Sequence, residues 1–149
     1  MVKLIDKIYD KTSKIAFTIY GDDFLRYFGE YGEIIQELGT EVDTLYGSNR
    51  CLDKLVLVDD GTLQNWEFES HDLDEDTLKK SWWYNNLKSA ENGKIVDSFI
   101  VAFGNPENSD ETVDIGRSIH FAPIINIFRK WDCPKSLKTL KLKLKTMRR

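Results

Sequence analysis

From Arg50 to Ser70 the chain reads RCLDKLVLVDDGTLQNWEFES, and no other segment leaves the fold so little freedom. Two β-rich runs, residues 52–58 and 62–69, flank Asp59-Asp60-Gly61, which suits a three-residue hairpin loop with Gly61 in the left-handed position. The loop sets the register. With Val58 opposite Thr62, each step outward pairs one residue earlier with one later, so Val56 faces Gln64 and Asp53 faces Glu67. Opposed side chains on such a pair have Cβ atoms roughly 4.5–5.5 Å apart.

Like charges so placed repel, and two readings resolve the conflict. Both acids can lie on a solvent-facing edge, or a cation can lie between them. Alternation puts Trp66 and Phe68 on one face and Asn65, Glu67 and Glu69 on the other, a pattern that suits a cleft at least as well as open surface. Mg²⁺ or Mn²⁺ takes oxygen ligands, commonly one or two carboxylates completed by water and a substrate phosphate.

Around the hairpin, spacing predicts the remaining elements. Phe24, Tyr27, Phe28, Tyr31, Ile34, Ile35 and Leu38 recur at threes and fours, giving an amphipathic helix over residues 22–38 stopped by Gly39. A short strand follows over 41–46, ended by Gly47-Ser48-Asn49. After the hairpin, Asp72, Asp74, Glu75 and Asp76 suit a helix N-terminus, and Asn92-Gly93 a C-terminus, for a helix over 75–91. Its Leu78, Trp82, Trp83 and Leu87 are expected to pack on the sheet. Residues 94–103 read as a largely buried strand, GNPENSDET as a polar loop, and 118–125 as a short strand interrupted at Pro123. His120, in SIHFAP, is expected to be a hydrogen-bonded core residue, and His71 a surface one near the acidic turn.

At 149 residues and 41% hydrophobic, the chain is long enough for one sizeable core. One domain is expected over residues 1–134, with its core at about 22–104 and a basic tail or helix at 135–149. No long apolar run occurs and charges interrupt the first residues, so neither a membrane span nor a secretory signal is expected, and a cytoplasmic location follows. Cys51 and Cys133 lack metal-ligand spacing and are expected to be free thiols. Seven of the 21 basic residues and none of the 25 acidic ones fall between Lys135 and Arg149. The tail therefore carries +7 and the body −11, from 14 basic against 25 acidic groups. That tail can meet a polyanion through phosphate contacts, or pack on the acidic body through Leu137, Leu140 and Leu144.

The order helix, short strand, hairpin, helix, strand, with an Asp opening the second strand and a Glu in the third, resembles the PD-(D/E)XK nuclease superfamily. More narrowly, LDKLVLVDDGTLQNWEFE and the following TLKKSWWYNNL, with Lys80 four residues before Tyr84, are similar to the recombination-promoting nuclease and putative transposase family. The resemblance covers roughly residues 22–104. It implies an α/β fold with a restriction-endonuclease-like core, α-β-β-β-α-β, whose central mixed sheet is flanked by helices. By the same resemblance Asp53 and Glu67 are metal ligands, joined by the backbone carbonyl of Phe68. Glu69 occupies a motif position usually held by Lys or Gln, where a basic group orients water or offsets charge on the phosphate. Lys79 or Lys80 is then the expected source of the missing cation, Lys80 foremost, and Glu33 or Glu37 a further acid.

The resemblance thus implies a Mg²⁺- or Mn²⁺-dependent endonuclease that hydrolyses DNA phosphodiesters, linked to DNA mobility or recombination and acting as a homodimer. Asp53, Glu67, Glu69 and Lys80 are its candidate catalytic residues. The alternative is a nuclease fold that has lost catalysis and binds nucleic acid or protein. No Gly-rich phosphate loop, Ser/His/Asp set or Cys/His pair competes with the acidic pair.

Overall fold

The computed structural model describes residues 2–42 and 50–129. In chain order the elements are helix α1 (Val2–Tyr27), strands β1 (Ile34–Leu38), β2 (Glu41–Val42), β3 (Arg50–Cys51), β4 (Lys54–Val58) and β5 (Leu63–Glu69), helix α2 (Glu75–Asn92) and strand β6 (Val96–Gly104). A 3-10 turn (Pro106–Asn108) and strands β7 (Val113–Ile115), β8 (Ile119–Phe121) and β9 (Ile124–Arg129) follow. A five-stranded mixed sheet in the order β1-β4-β5-β6-β9 is flanked by the helices. Strands β1, β4 and β5 pair antiparallel, and β5, β6 and β9 parallel.

The hairpin forms in the register that its loop dictates. Val56 faces Gln64 and Lys54 faces Trp66, Gly61 adopts φ +89°, and the Val58 N–H donates to the Thr62 carbonyl at 2.9 Å. The connection from β5 through α2 to the parallel β6 lays that helix across one face of the sheet. Helix α2 is closed at its start by the Asp74 carboxylate, which accepts the Thr77 N–H at 2.7 Å, and at its end by Gly93.

Several expected elements differ. Residues 22–38 are not one helix: 22–27 are the end of α1, which starts near the beginning of the chain and is kinked at Tyr20, while 34–38 form the edge strand β1. Gly29 at φ +81° turns the chain, and the Asp22 carboxylate accepts the Ile34 N–H at 2.8 Å, which anchors β1 beside α1. The core therefore begins well before residue 22, with Phe17 buried against the sheet. The strand expected over 41–46 is described only as β2, and 43–49 lie outside the described residues. In place of one interrupted strand at 118–125, β8 belongs to a separate two-stranded ribbon with β7, and β9 joins the main sheet after Pro123. The GNPENSDET loop contains the 3-10 turn. The basic segment 135–149 and Cys133 lie outside the described residues.

The core is aromatic on one face of the sheet. Phe17, Phe24 and Leu25 of α1 pack on Val56, Val58, Trp66, Phe68, Phe99, Val101 and Phe103. Trp66 stacks on Phe99 with centroids 4.5 Å apart. The opposite face, beneath α2, buries Ser81, Asn85 and Lys88 from the helix with Asn65, Glu67 and Ser98 from the strands. Trp83, expected in the core, is 48% exposed, and Trp82 is only half-buried, because Ser81, Tyr84, Asn85 and Lys88 take the inward positions. His120 is exposed on the β7–β8 ribbon, where its Nδ1 lies 2.7 Å from Asp114, and is not a core residue. Among the described residues no helix is long and apolar enough to cross a membrane.

Candidate acidic site at the end of the hairpin

Asp53 stands one residue before β4 begins, so it makes no ladder pair with Glu67. Its side chain takes over from the backbone: Oδ2 accepts the Phe68 N–H at 2.8 Å. This pins the carboxylate beside β5 just where the antiparallel pairing stops. Lys14 of α1 reaches the other oxygen, with Nζ 2.9 Å from Oδ1. In a strand the N–H and C=O of one residue leave on the same side. The Phe68 carbonyl therefore faces the Asp53 side of β5.

Glu67 is 7% exposed and lies near enough to Asp53 to feel its charge. Its Oε1 accepts from Asn65 Nδ2 at 3.2 Å, and the same amide donates to Asn85 Oδ1 of α2 at 2.7 Å. Burial pushes the Glu67 carboxyl well above the usual carboxylate range; the Asp53 charge adds to this, the Asn65 hydrogen bond opposes it, and Glu69 contributes a smaller push. Glu69 is the outer member of the trio, its Oε2 3.0 Å from Nε2 of the exposed His71. His71 Nδ1 lies 2.8 Å from the Asp72 carbonyl oxygen.

The other expected contributors fall elsewhere. Glu37 is on edge strand β1, its carboxylate 2.8 Å from Lys54 Nζ, and Glu33 precedes that strand; neither is on a helix facing the acids. Lys79 is tied to Glu75 within the first turn of α2, which raises its pKa chiefly through that hydrogen bond. Lys80 is exposed on α2, one turn before Tyr84, which packs on Leu52 next to Asp53. Lys14 was not among the expected residues. The signal for it was the apolar stripe Tyr9, Ala16, Phe17, Tyr20 and Phe24, which extends the first helix backward and places Lys14 at the stripe's flank.

Among the described residues no group of three or more His, Cys, Asp or Glu side chains gathers as a metal site. The donors at this end of the hairpin are two carboxylates and one carbonyl. An all-oxygen set with few protein ligands suits Mg²⁺ or Mn²⁺, which keep several waters, and not a softer metal. A buried carboxyl pushed upward beside a second carboxylate also fits, since a cation in contact with both favours their charged forms.

No protein-family model matches the chain, and no curated protein or solved structure matches it.

Proposed function

We propose that this domain is a divalent-metal-dependent endodeoxyribonuclease built on a restriction-endonuclease-like α-β-β-β-α-β core, hydrolysing DNA phosphodiester bonds. The observation that carries the reading is the placement of Asp53, held by the Phe68 N–H, and the buried Glu67, held by Asn65, where the antiparallel hairpin ends. Within the main sheet, setting aside the short β2–β3 pair, the order helix, three antiparallel strands, helix, parallel strand supports it.

Asp53, Glu67 and the Phe68 carbonyl would hold Mg²⁺ or Mn²⁺. The ion supplies a water made nucleophilic near neutral pH and a charge that polarises the scissile phosphate, so no protein nucleophile is required. The hydrogen bond from the Phe68 N–H fixes the Asp53 carboxylate, and Asn65, itself held by Asn85, orients Glu67. Lys80 faces solvent on the flank of α2, a position suited to a phosphate further along the strand. The basic segment 135–149 adds salt-dependent affinity, cutting of both strands calls for a homodimer, and a role in DNA mobility or recombination belongs to the same reading.

A plasmid-nicking assay with Mg²⁺ or Mn²⁺ tests it. Nicking that needs the metal and disappears in Asp53→Ala is expected; no cleavage with either ion, or cleavage indifferent to Asp53→Ala, overturns the reading. The second reading, a nuclease fold without catalysis that binds nucleic acid or protein, is favoured by Glu69 in place of Lys or Gln and by the Lys14 ammonium already seated on Asp53. Salt-dependent DNA binding without cleavage, and without metal-linked stabilisation, would support it.

A further inference from the structure

We infer that Lys14 of α1 is the working cation of the acidic site: it neutralises Asp53 before metal enters and contacts the substrate phosphate once metal has displaced it. The inference rests on the nuclease reading above and adds a residue that the hairpin motif does not contain.

Asp53 and Glu67 lie at the end of the hairpin, and Glu69, paired with His71, adds negative charge from two residues further along β5. Such a cluster attracts a cation and repels a phosphodiester unless a positive side chain is within reach. Of the other lysines, Lys54 is held by Glu37 and Thr18, Lys79 by Glu75 and Lys88 by Glu91, and Lys80 is exposed on α2. Lys14 Nζ is 2.9 Å from Asp53 Oδ1. It approaches from the α1 side of the hairpin, opposite α2, and its side chain is 36% exposed, so the ammonium can leave Asp53 without opening the core.

The two oxygens of Asp53 have different tasks. Oδ2 is oriented by the Phe68 N–H, whereas Oδ1 is held by the flexible Lys14 side chain, and a metal ion would compete for that oxygen. A lysine is suited to such an exchange, being a compact charge on a flexible four-carbon stem with three rotatable donors and a common phosphate binder. With Oδ1 taken up by a divalent ion, the Lys14 ammonium would remain on its stem beside the site and could meet a phosphate there.

The test compares wild type, Lys14→Met and Lys14→Arg by calorimetric Mn²⁺ titration without DNA and by plasmid nicking, with circular dichroism as the check on folding. Lys14→Met should bind Mn²⁺ several-fold more tightly, because its competitor is gone. Its nicking should fall by about a hundredfold, the scale for losing one charge-stabilising donor. Lys14→Arg should recover part of the nicking. Mn²⁺ uptake and nicking in wild type with both unchanged in Lys14→Met overturns the assignment of Lys14 and leaves the nuclease reading intact. So does weaker Mn²⁺ binding in a folded Lys14→Met protein, which would make Lys14 a structural support. No Mn²⁺ uptake and no nicking in any of the three overturns the nuclease reading, and the inference with it. Should Lys14→Met fail to fold, Lys14→Gln, which keeps most of the stem, is read in the same way.

Discussion

The two faces of the central sheet are built from the same strands and serve opposite ends. Toward α1, the strands present Val56, Trp66, Phe68, Phe99, Val101 and Phe103, and the helix meets them with Phe17, Phe24 and Leu25. Toward α2, the central patch is polar: Asn65, Glu67 and Ser98 lie under Ser81, Asn85 and Lys88, with small apolar clusters around Ile100 and Leu63. Alternation along β5 alone produces this contrast, since Trp66 and Phe68 go one way and Asn65 and Glu67 the other. Apolar burial and ring packing stabilise the first face, whereas each buried polar group on the second must find a partner to break even. The candidate site is at the end of the polar face, while the face that holds the fold together is behind it.

The comparison breaks first if the aromatic face proves dispensable. Trp66 is fully buried and touches Phe17, Phe24, Phe28 and Phe99. Trp66→Ala should cost about 3–5 kcal/mol in urea unfolding, the scale for truncating a large core aromatic. A loss below about 1 kcal/mol would mean that α1 does not hold the sheet as described.

On the polar face the corresponding change should act in the other direction. Because the folded protein holds the Glu67 carboxyl above its unfolded value, the native state binds more protons than the unfolded one between those two values. Stability from this group is present at acidic pH and is lost as pH rises through the folded value. Glu67→Gln should therefore raise the melting temperature of the metal-free protein by several degrees at alkaline pH, with less gain at pH 4. It should also abolish metal-linked stabilisation. A melting temperature lowered at alkaline pH would show that Glu67 is charged and well satisfied in the fold, and the polar face would then be a source of stability too.

Outside both faces, Asp74→Ala should cost about 1 kcal/mol, the usual effect of losing an N-cap. The Thr77 hydrogen bonds hold the Asp74 carboxyl below its ordinary value, so this contribution is present above the unfolded value and is lost as pH falls through the folded one. A cost that did not shrink in acid would point to packing and not to the cap.

How much of this was legible depended on how local the determinants were. The hairpin register followed from Asp59-Asp60-Gly61, and the ends of α2 from Asp74 and Gly93, because loop length and caps act within a few residues. Phe24 through Leu38 misled because an aromatic helix end and a short apolar strand together mimic one helical stripe. What separates them is a turn at Gly29 and the long-range hydrogen bond from Ile34 to Asp22. His120 misled because apolar neighbours in sequence do not make a core when the strand belongs to an outlying ribbon. Within the site, counting from the loop brought Asp53 and Glu67 to the same end of the hairpin, although the ladder itself stops at Lys54. Lys14 could not be found that way, because its place depends on how a helix from the start of the chain docks on the sheet.

The smallest expected effect sharpens the contrast on α2 itself. The sequence Ser81-Trp82-Trp83-Tyr84 places a serine and a tyrosine inward, leaves Trp83 about half exposed, and keeps Trp82 between, with the two indoles 6.2 Å apart. A helix facing an aromatic core would turn its tryptophans inward; this one covers a polar patch, where Ser81 lies 3.3 Å from Ser98 and Asn85 meets Asn65. Trp83→Ala should accordingly change stability by no more than about 0.5 kcal/mol. Trp82→Ala should cost more, since its ring borders the hollow formed with Asn85, Ser89 and Phe121. Equal and large losses at the two positions, measured by the same urea unfolding, would mean that α2 turns its aromatic side to the protein after all, and that its polar residues are not what covers the sheet.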